Sequence, residues 1–429
     1  MTSSAIGSEM HKWAVDLFPI CRSITGPGVR ATLSYIKTLV PDLRIHEVPS
    51  GTAAFDWFVP DEWSIKGAYL EHESGERVLD FSNSNLHVVG YSEPVDSWLD
   101  LDELQTHIHS LPEQPDAIPY VTSYYSRNWG FCMTEQQRST LKPGRYHAVI
   151  DSELKQGVLN YGELILPGQT DEEVFLSTYI CHPSLANNEL SGPVVTTALA
   201  RYLLEKIERR YTYRIVFIPE TIGSIVYLSR NLGIMKKNVI AGFNISCVGD
   251  DRAYSFLPSR AGDTLADLVA QHVLKHIDPE FRRYSWLDRG SDERQYCAPG
   301  VDLPVASMMR TRYGQYPEYH TSLDNLDDVV TPKGLQGGFS ALKRALELIE
   351  KNESYKATVL CEPQMGKRGL YPTLSTKNSY HPAKRIMDFL SLCDGATSLI
   401  AIADRLNCPA WDLYDLIETL SAHHLIEPV

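Results

Sequence analysis

From residue 174 onward the chain alternates apolar runs of strand length with amphipathic stretches of helical period, and no other feature restricts the fold as much. VFLSTYI (174–180), RIVFI (214–218), NVIAGFNISCV (238–248) and LPVASMM (303–309) read as strands buried on both faces. Strands covered by helices on each side lose the in-and-out alternation of a one-sided sheet. Between them Val195, Leu199, Tyr202 and Leu203 mark a helix, and a second falls near 262–277. In a closing helix Leu335, Phe339, Leu342, Leu346 and Ile349 recur at helical spacing. This order predicts an α/β fold with a mainly parallel sheet and helices on both faces. Ligands in that architecture sit at the carboxyl ends of the strands.

The flanking regions have other textures. Residues 9–40 read as helix, turn, helix, broken at Gly26-Pro27-Gly28. From about 45 to 170, short alternating runs such as VLDFSN, NLHVVGYS and YHAVIDS between Gly, Pro, Asn and Ser predict a β-rich module. A connector containing Pro and Lys spans about 362–383, and the tail then shows three short amphipathic helices in a helix-turn-helix or winged-helix pattern. From 383 to 429 only Lys384, Arg385 and Arg405 oppose seven acidic residues, a net charge of −4. Phosphate contacts need positive charge, so a docking or oligomerisation unit is expected rather than a nucleic-acid binder.

A chain of 429 residues exceeds what one hydrophobic core usually serves, so at least two domains are expected. A net charge of −14 argues against nucleic acid or an anionic membrane as partner. No run approaches the roughly 18 apolar residues of a membrane span, and the start MTSSAIGSEMHKW lacks a secretory pattern, which predicts a cytoplasmic protein. The eight cysteines form no C-x-x-C pair and read as reduced thiols.

Four polar segments follow predicted strands. His182 in ICHPSLANNELSGP can offer a neutral imidazole to a metal, with Asn187, Asn188 and Glu189 close behind. Glu220 ends a very apolar strand in FIPETIGS, where a carboxylate is paired, metal-bound or shifted in pKa. Asp250 follows in CVGDD, and His320 and Asp324 in YPEYHTSLDNLDD. Each has a plainer reading: a backbone-bonded histidine, a helix cap at Glu220, turn residues at Asp250 and Asp251. Their shared position at the strand ends of one sheet favours a zinc site with an open coordination position. Arg294 in GSDERQYC and Arg310 are candidate binders of a substrate carboxylate, because the guanidinium fork suits bidentate recognition.

The blocks LFPICRSITGPGVR, EVPSGTAAFDW, IPYVTSYYSRNWGFC, ICHPSLANNELSG, IPETIGSIVYLS, GSDERQYC and EYHTSLDN resemble the bacterial aminopeptidase-like proteins found with polysaccharide or natural-product biosynthesis genes. That family is similar to the cocatalytic zinc aminopeptidases and, more distantly, to glutaminyl cyclases. The resemblance implies a zinc aminopeptidase-like domain over 1–45 and 150–360, an inserted β-rich domain over 46–149, and a winged helix over 370–429. It makes His182 and His320 metal ligands and Glu220 the general base or a further ligand, and it puts a bridging carboxylate at position 188. Here that residue is Asn188, and Ser246 stands where the related enzymes place an aspartate ligand, with Asp250 the nearest substitute. A neutral amide bridges two cations poorly, so one zinc ion rather than two is expected.

The expected activity is zinc-dependent hydrolysis of an amide or peptide bond in a small peptide or biosynthetic metabolite. Glu220 would act as base and Asp324 would orient His320. The rival is a metal-poor scaffold that binds a partner through its winged helix, and homo-oligomerisation stays open.

Overall fold

A computed structural model describes residues 3–370 and 380–429; part of the connector expected over 362–383 lies outside the described residues. The chain divides into two compact units, 1–266 with 282–340, and 267–281 with 341–429.

The first unit is built on an eight-stranded sheet whose order in space is 44–49, 158–166, 212–218, 173–179, 239–244, 305–309, 255–257, 282–283. Glu173–Tyr179 pairs in parallel with Thr212–Ile218 on one side and Val239–Asn244 on the other, and Val239–Asn244 pairs in parallel with Val305–Met309. All seven residues of Glu173–Tyr179 are buried, Glu173, Ser177 and Thr178 included, so the strand lacks the in-and-out alternation of a one-sided sheet. The connection from this strand to Thr212–Ile218 runs one way along the sheet, and the next, to Val239–Asn244, runs back past it. Right-handed crossovers in opposite directions put Ser191–Glu205 and Ile222–Asn238 on opposite faces. The reversal places the ligand crevice at the carboxyl end of Glu173–Tyr179, where His182 follows.

Helices Ser3–Leu17 and Pro27–Leu39 are joined by a turn at Gly26 (φ 97°), where a Cβ would lie 2.1 Å from the Trp63 carbonyl oxygen. Only glycine fits both the dihedral and the space. Gly192, at the start of Ser191–Glu205, is equally constrained: a Cβ would stand 2.4 Å from Thr178 Oγ1 and 2.5 Å from the Ile245 carbonyl oxygen. The helix thereby packs directly on the central strands.

The β-rich stretch forms its own antiparallel sheet in the order 77–80, 62–72, 145–155, 95–100, over a cluster that includes Leu70, Leu79, Leu104, Phe131, Tyr146 and Ile150. It belongs to the first compact unit. Its segment around 118–122 is bonded to the His320 loop: Tyr120 N donates to His320 O at 2.9 Å and Ser322 N to Ile118 O at 2.9 Å.

The second unit carries a three-stranded sheet in the order 394–398, 354–357, 426–428, with helices Tyr380–Leu392, Leu399–Arg405 and Tyr414–Ala422. Phe389, Leu399, Ile402, Leu413 and Leu420 are buried there. Among the described residues no helix is long and apolar enough to cross a membrane.

Candidate metal centre

The strand ends bring His182, Glu220 and His320 to one cleft of about 430 Å³. His182 Nε2 lies 3.6 Å from Glu220 Oε2, and the two imidazole centroids are 5.9 Å apart. The edge of Tyr120 meets both rings, 5.2 Å from each. Tyr120 thus wedges the two histidines apart, while its hydroxyl sits 2.6 Å from that of Tyr124.

His182 uses its two nitrogens differently. Nδ1 is 2.7 Å from Glu189 Oε2, and Arg22 Nε stands 3.6 Å from Glu189 Oε1 while donating to the His182 carbonyl oxygen at 3.0 Å. Arg22 and Glu189 are both fully buried, so the pair is unscreened. Burial opposes a charged His182, but its neighbours Cys181 and Glu189 hold it well above its usual value. The Cys181 thiol is itself pushed by burial to about 11 and stays protonated at neutral pH. With Nδ1 held by Glu189, Nε2 is the nitrogen of His182 that faces the cleft.

The wide turn Ala186–Leu190 delivers Glu189 to that position. π turns of this kind are rare and recur at functional sites. Asp324 holds the turn: it accepts Asn187 N at 2.7 Å, Asn188 N at 2.9 Å and the Tyr316 hydroxyl at 3.1 Å. Burial raises its carboxyl to about 6 against those donors.

Glu220 ends Thr212–Ile218 and accepts from Ser291 Oγ at 2.9 Å. Burial raises its carboxyl, with His182 and Ser291 drawing it back. Next to it Thr221 has φ 63°, a strained backbone for a β-branched residue. Asp292 Oδ1 holds this corner by accepting Thr221 N at 2.7 Å and Ser224 Oγ at 2.8 Å. His320 is also left-handed (φ 56°) and stacks on Tyr319 at 3.9 Å. Burial and the charge of His182 lower it to about 3, so it is a neutral imidazole.

The other sequence-derived candidates sit elsewhere. Asp250, expected as an oxygen ligand, accepts Asn187 Nδ2, Arg252 N, and both Thr311 N and Thr311 Oγ1 at 2.7–3.0 Å. Both its oxygens are consumed in tying loops together. Asn188, expected at the metal, has its Oδ1 3.2 Å from the Tyr179 hydroxyl, and its Nδ2 carries no lone pair to give. Asp324 grips the 187–188 backbone instead of orienting His320. The Arg310 guanidinium lies over the Tyr254 ring at 3.9 Å and is not among the cleft residues, whereas Arg294 is. Glu189 stands in the sequence only as one of three polar residues close behind His182, and no sequence signal marks Arg22, Tyr120 or Ser291.

The residues present suit a bound cation. His320 is neutral, His182 Nε2 faces Glu220, and the far nitrogen of His182 is held by a carboxylate, the usual support of a metal-bound histidine. Cys181, His182 and Glu189 also place ligand atoms within 4.8 Å of one another, but that cluster lies on the Nδ1 side.

Comparison with known proteins agrees with this architecture. Residues 11–352 match the family model described as a domain of unknown function, DUF4910, and residues 353–428 match a winged helix-turn-helix model. A Clostridium acetobutylicum protein named for polysaccharide biosynthesis and an aminopeptidase-like domain is 44% identical over 404 residues, covering 94% of this chain and 92% of that one. A crystal structure of a C. acetobutylicum protein named as a peptidase superposes with a TM-score of 0.93 at 41% identity, over 100% of this chain and 97% of that one. The zinc aminopeptidase of Bacillus subtilis shares the fold at 11% identity, with a TM-score of 0.59 over 81% of this chain and 94% of its own. The chain belongs to the DUF4910 family, an aminopeptidase-like α/β domain followed by a winged helix-turn-helix.

Proposed function

We propose that the chain is a zinc-dependent hydrolase of amide bonds in a small peptide or metabolite, with one ion held by His182, His320 and the Glu220 side of the cleft. The observation that carries this reading is the convergence of two imidazoles and a carboxylate from two strand ends and the loop that follows Val305–Met309. Zinc, when bound there, supplies positive charge that polarises a carbonyl and acidifies water. Glu220, raised by burial, takes a proton from the attacking water and returns it to the leaving nitrogen. Ser291 fixes the orientation of that carboxylate, and Tyr120 with Tyr124 closes one wall.

A second reading, a metal-poor scaffold, draws on Asn188 and Ser246. The family resemblance implies carboxylates at both positions, and Asp250 has its oxygens occupied elsewhere. A screen of acyl and aminoacyl amides with zinc-supplemented protein separates the two. The hydrolase reading predicts amine release that falls by about 10²- to 10⁴-fold in Glu220→Gln. Absence of release from every amide, or full activity in Glu220→Gln, would favour the scaffold.

A further inference from the structure

The charges lining the cleft indicate which substrates it admits. An amide with a free ammonium group beside the reacting bond needs an acidic partner there. Glu220 is the one carboxylate among the cleft residues, and the hydrolytic reading commits it to proton transfer. The nearby acids do not line the cleft; Asp292 is buried behind Thr221, where its Oδ1 accepts from Thr221 N and Ser224 Oγ. Glu189 lies behind His182 and faces Arg22, Asp250 has both oxygens occupied, and Asp324 is engaged by two backbone N–H groups and Tyr316.

The cleft does contain a cation. Arg294 is its one guanidinium, carried on the short helix Glu293–Tyr296. Its terminal nitrogen donates to Thr221 Oγ1 at 2.7 Å, which anchors the group beside the residue that follows Glu220. No carboxylate lies within ion-pair distance of it among the described residues, and the side chain is exposed to the cleft mouth. This guanidinium, whose charge also acts on Glu220 and on buried Asp292, supplies positive charge beside the reacting groups in a chain of net charge −14. Its planar fork matches a carboxylate in two-point contact. Trp57 and Tyr125, edge to face at 5.1 Å, add a flat apolar wall on the same cleft.

We infer that Arg294 recognises a carboxylate on the leaving-amine side, so the chain acts on N-acyl amino acids and related amides with a carboxylate next to the scissile nitrogen, not on substrates with a free amino terminus. This inference rests on the hydrolase reading for the reaction itself. In that reaction the water oxygen adds to the acyl carbon, the C–N bond breaks, and one proton of the water passes to nitrogen. The products are a carboxylic acid and a free amino acid whose carboxylate stays on Arg294 until release.

Binding can be measured without turnover, which keeps this inference separable from the hydrolase reading. Calorimetric titration of the full chain carrying Glu220→Gln, which blocks turnover, with N-acetyltyrosine, N-acetyltyrosinamide and tyrosinamide compares an anion, a neutral amide and a cation built on one tyrosine. The anion is expected to bind at least about tenfold tighter than either other probe. Arg294→Met should abolish that margin, and Arg294→Lys should keep only part of it because it retains charge without the fork. Equal binding of the three, preference for the cation, no binding of the anion, or an unchanged margin in Arg294→Met would overturn it. Anion preference in a protein that hydrolyses no amide would sink the hydrolase reading and leave the recognition standing.

Discussion

Glu189 Oε2 stands 2.7 Å from His182 Nδ1, and the same carboxylate faces Arg22 in a fully buried arrangement. The carboxylate links a cation donated from the loop between the first two helices to the imidazole that fronts the cleft. Two consequences can be measured independently. Glu189→Gln keeps the shape but removes the charge, and zinc affinity should fall about 10- to 100-fold, read by competition with a chelating dye. Arg22→Met leaves the carboxylate buried without its cation and should cost about 3–5 kcal/mol in denaturant unfolding.

The wedge formed by Tyr120 is a matter of shape more than of its hydroxyl. Tyr120→Phe keeps the ring against both histidines and loses only the bond to Tyr124, so its stability should stay within about 1 kcal/mol of the parent. Tyr120→Ala removes the ring, should cost about 2 kcal/mol or more, and should loosen the spacing of the histidines. Unfolding curves of both variants, with zinc content of each, test the distinction. Equal losses in the two would point to the hydroxyl instead.

Asp324 gives a pH signature away from the ligands. Its folded pKa is about 6, above the roughly 3.9 of an unfolded aspartate, so the folded state holds the proton more tightly. The stabilisation this brings is complete below the unfolded value and is lost as pH rises through about 6. Between pH 5 and pH 8 the parent should lose on the order of 1 kcal/mol from this group. Asp324→Asn cannot titrate, and its unfolding free energy should lack that component.

The reach of the sequence follows from how local each signal is. His182, Glu220 and His320 could be read because each follows an apolar run, and strand ends of one parallel sheet meet by topology. Asp250 carries the same local signal, yet its partners Asn187 and Thr311 lie 63 and 61 residues away and consume it. Strand-end position could not separate a ligand from a loop tie. Arg310 and Arg294 looked alike for the same reason, until Tyr254 claimed one and the cleft the other. The part of Glu189 depends on the π turn at 186–190, a one-residue change in winding that sets which of three polar side chains faces His182. Tyr120 reaches the site only through the bonds between its segment and the His320 loop, some 200 residues apart in sequence.

A zinc centre at His182 and His320 is tested most directly by the zinc content of the purified full chain and of His182→Ala and His320→Ala, measured by plasma mass spectrometry beside circular dichroism. It predicts about one zinc per folded parent chain and loss of that metal in both variants with the fold retained. A parent free of metal after growth and purification with zinc, or zinc unchanged in both variants, would contradict it.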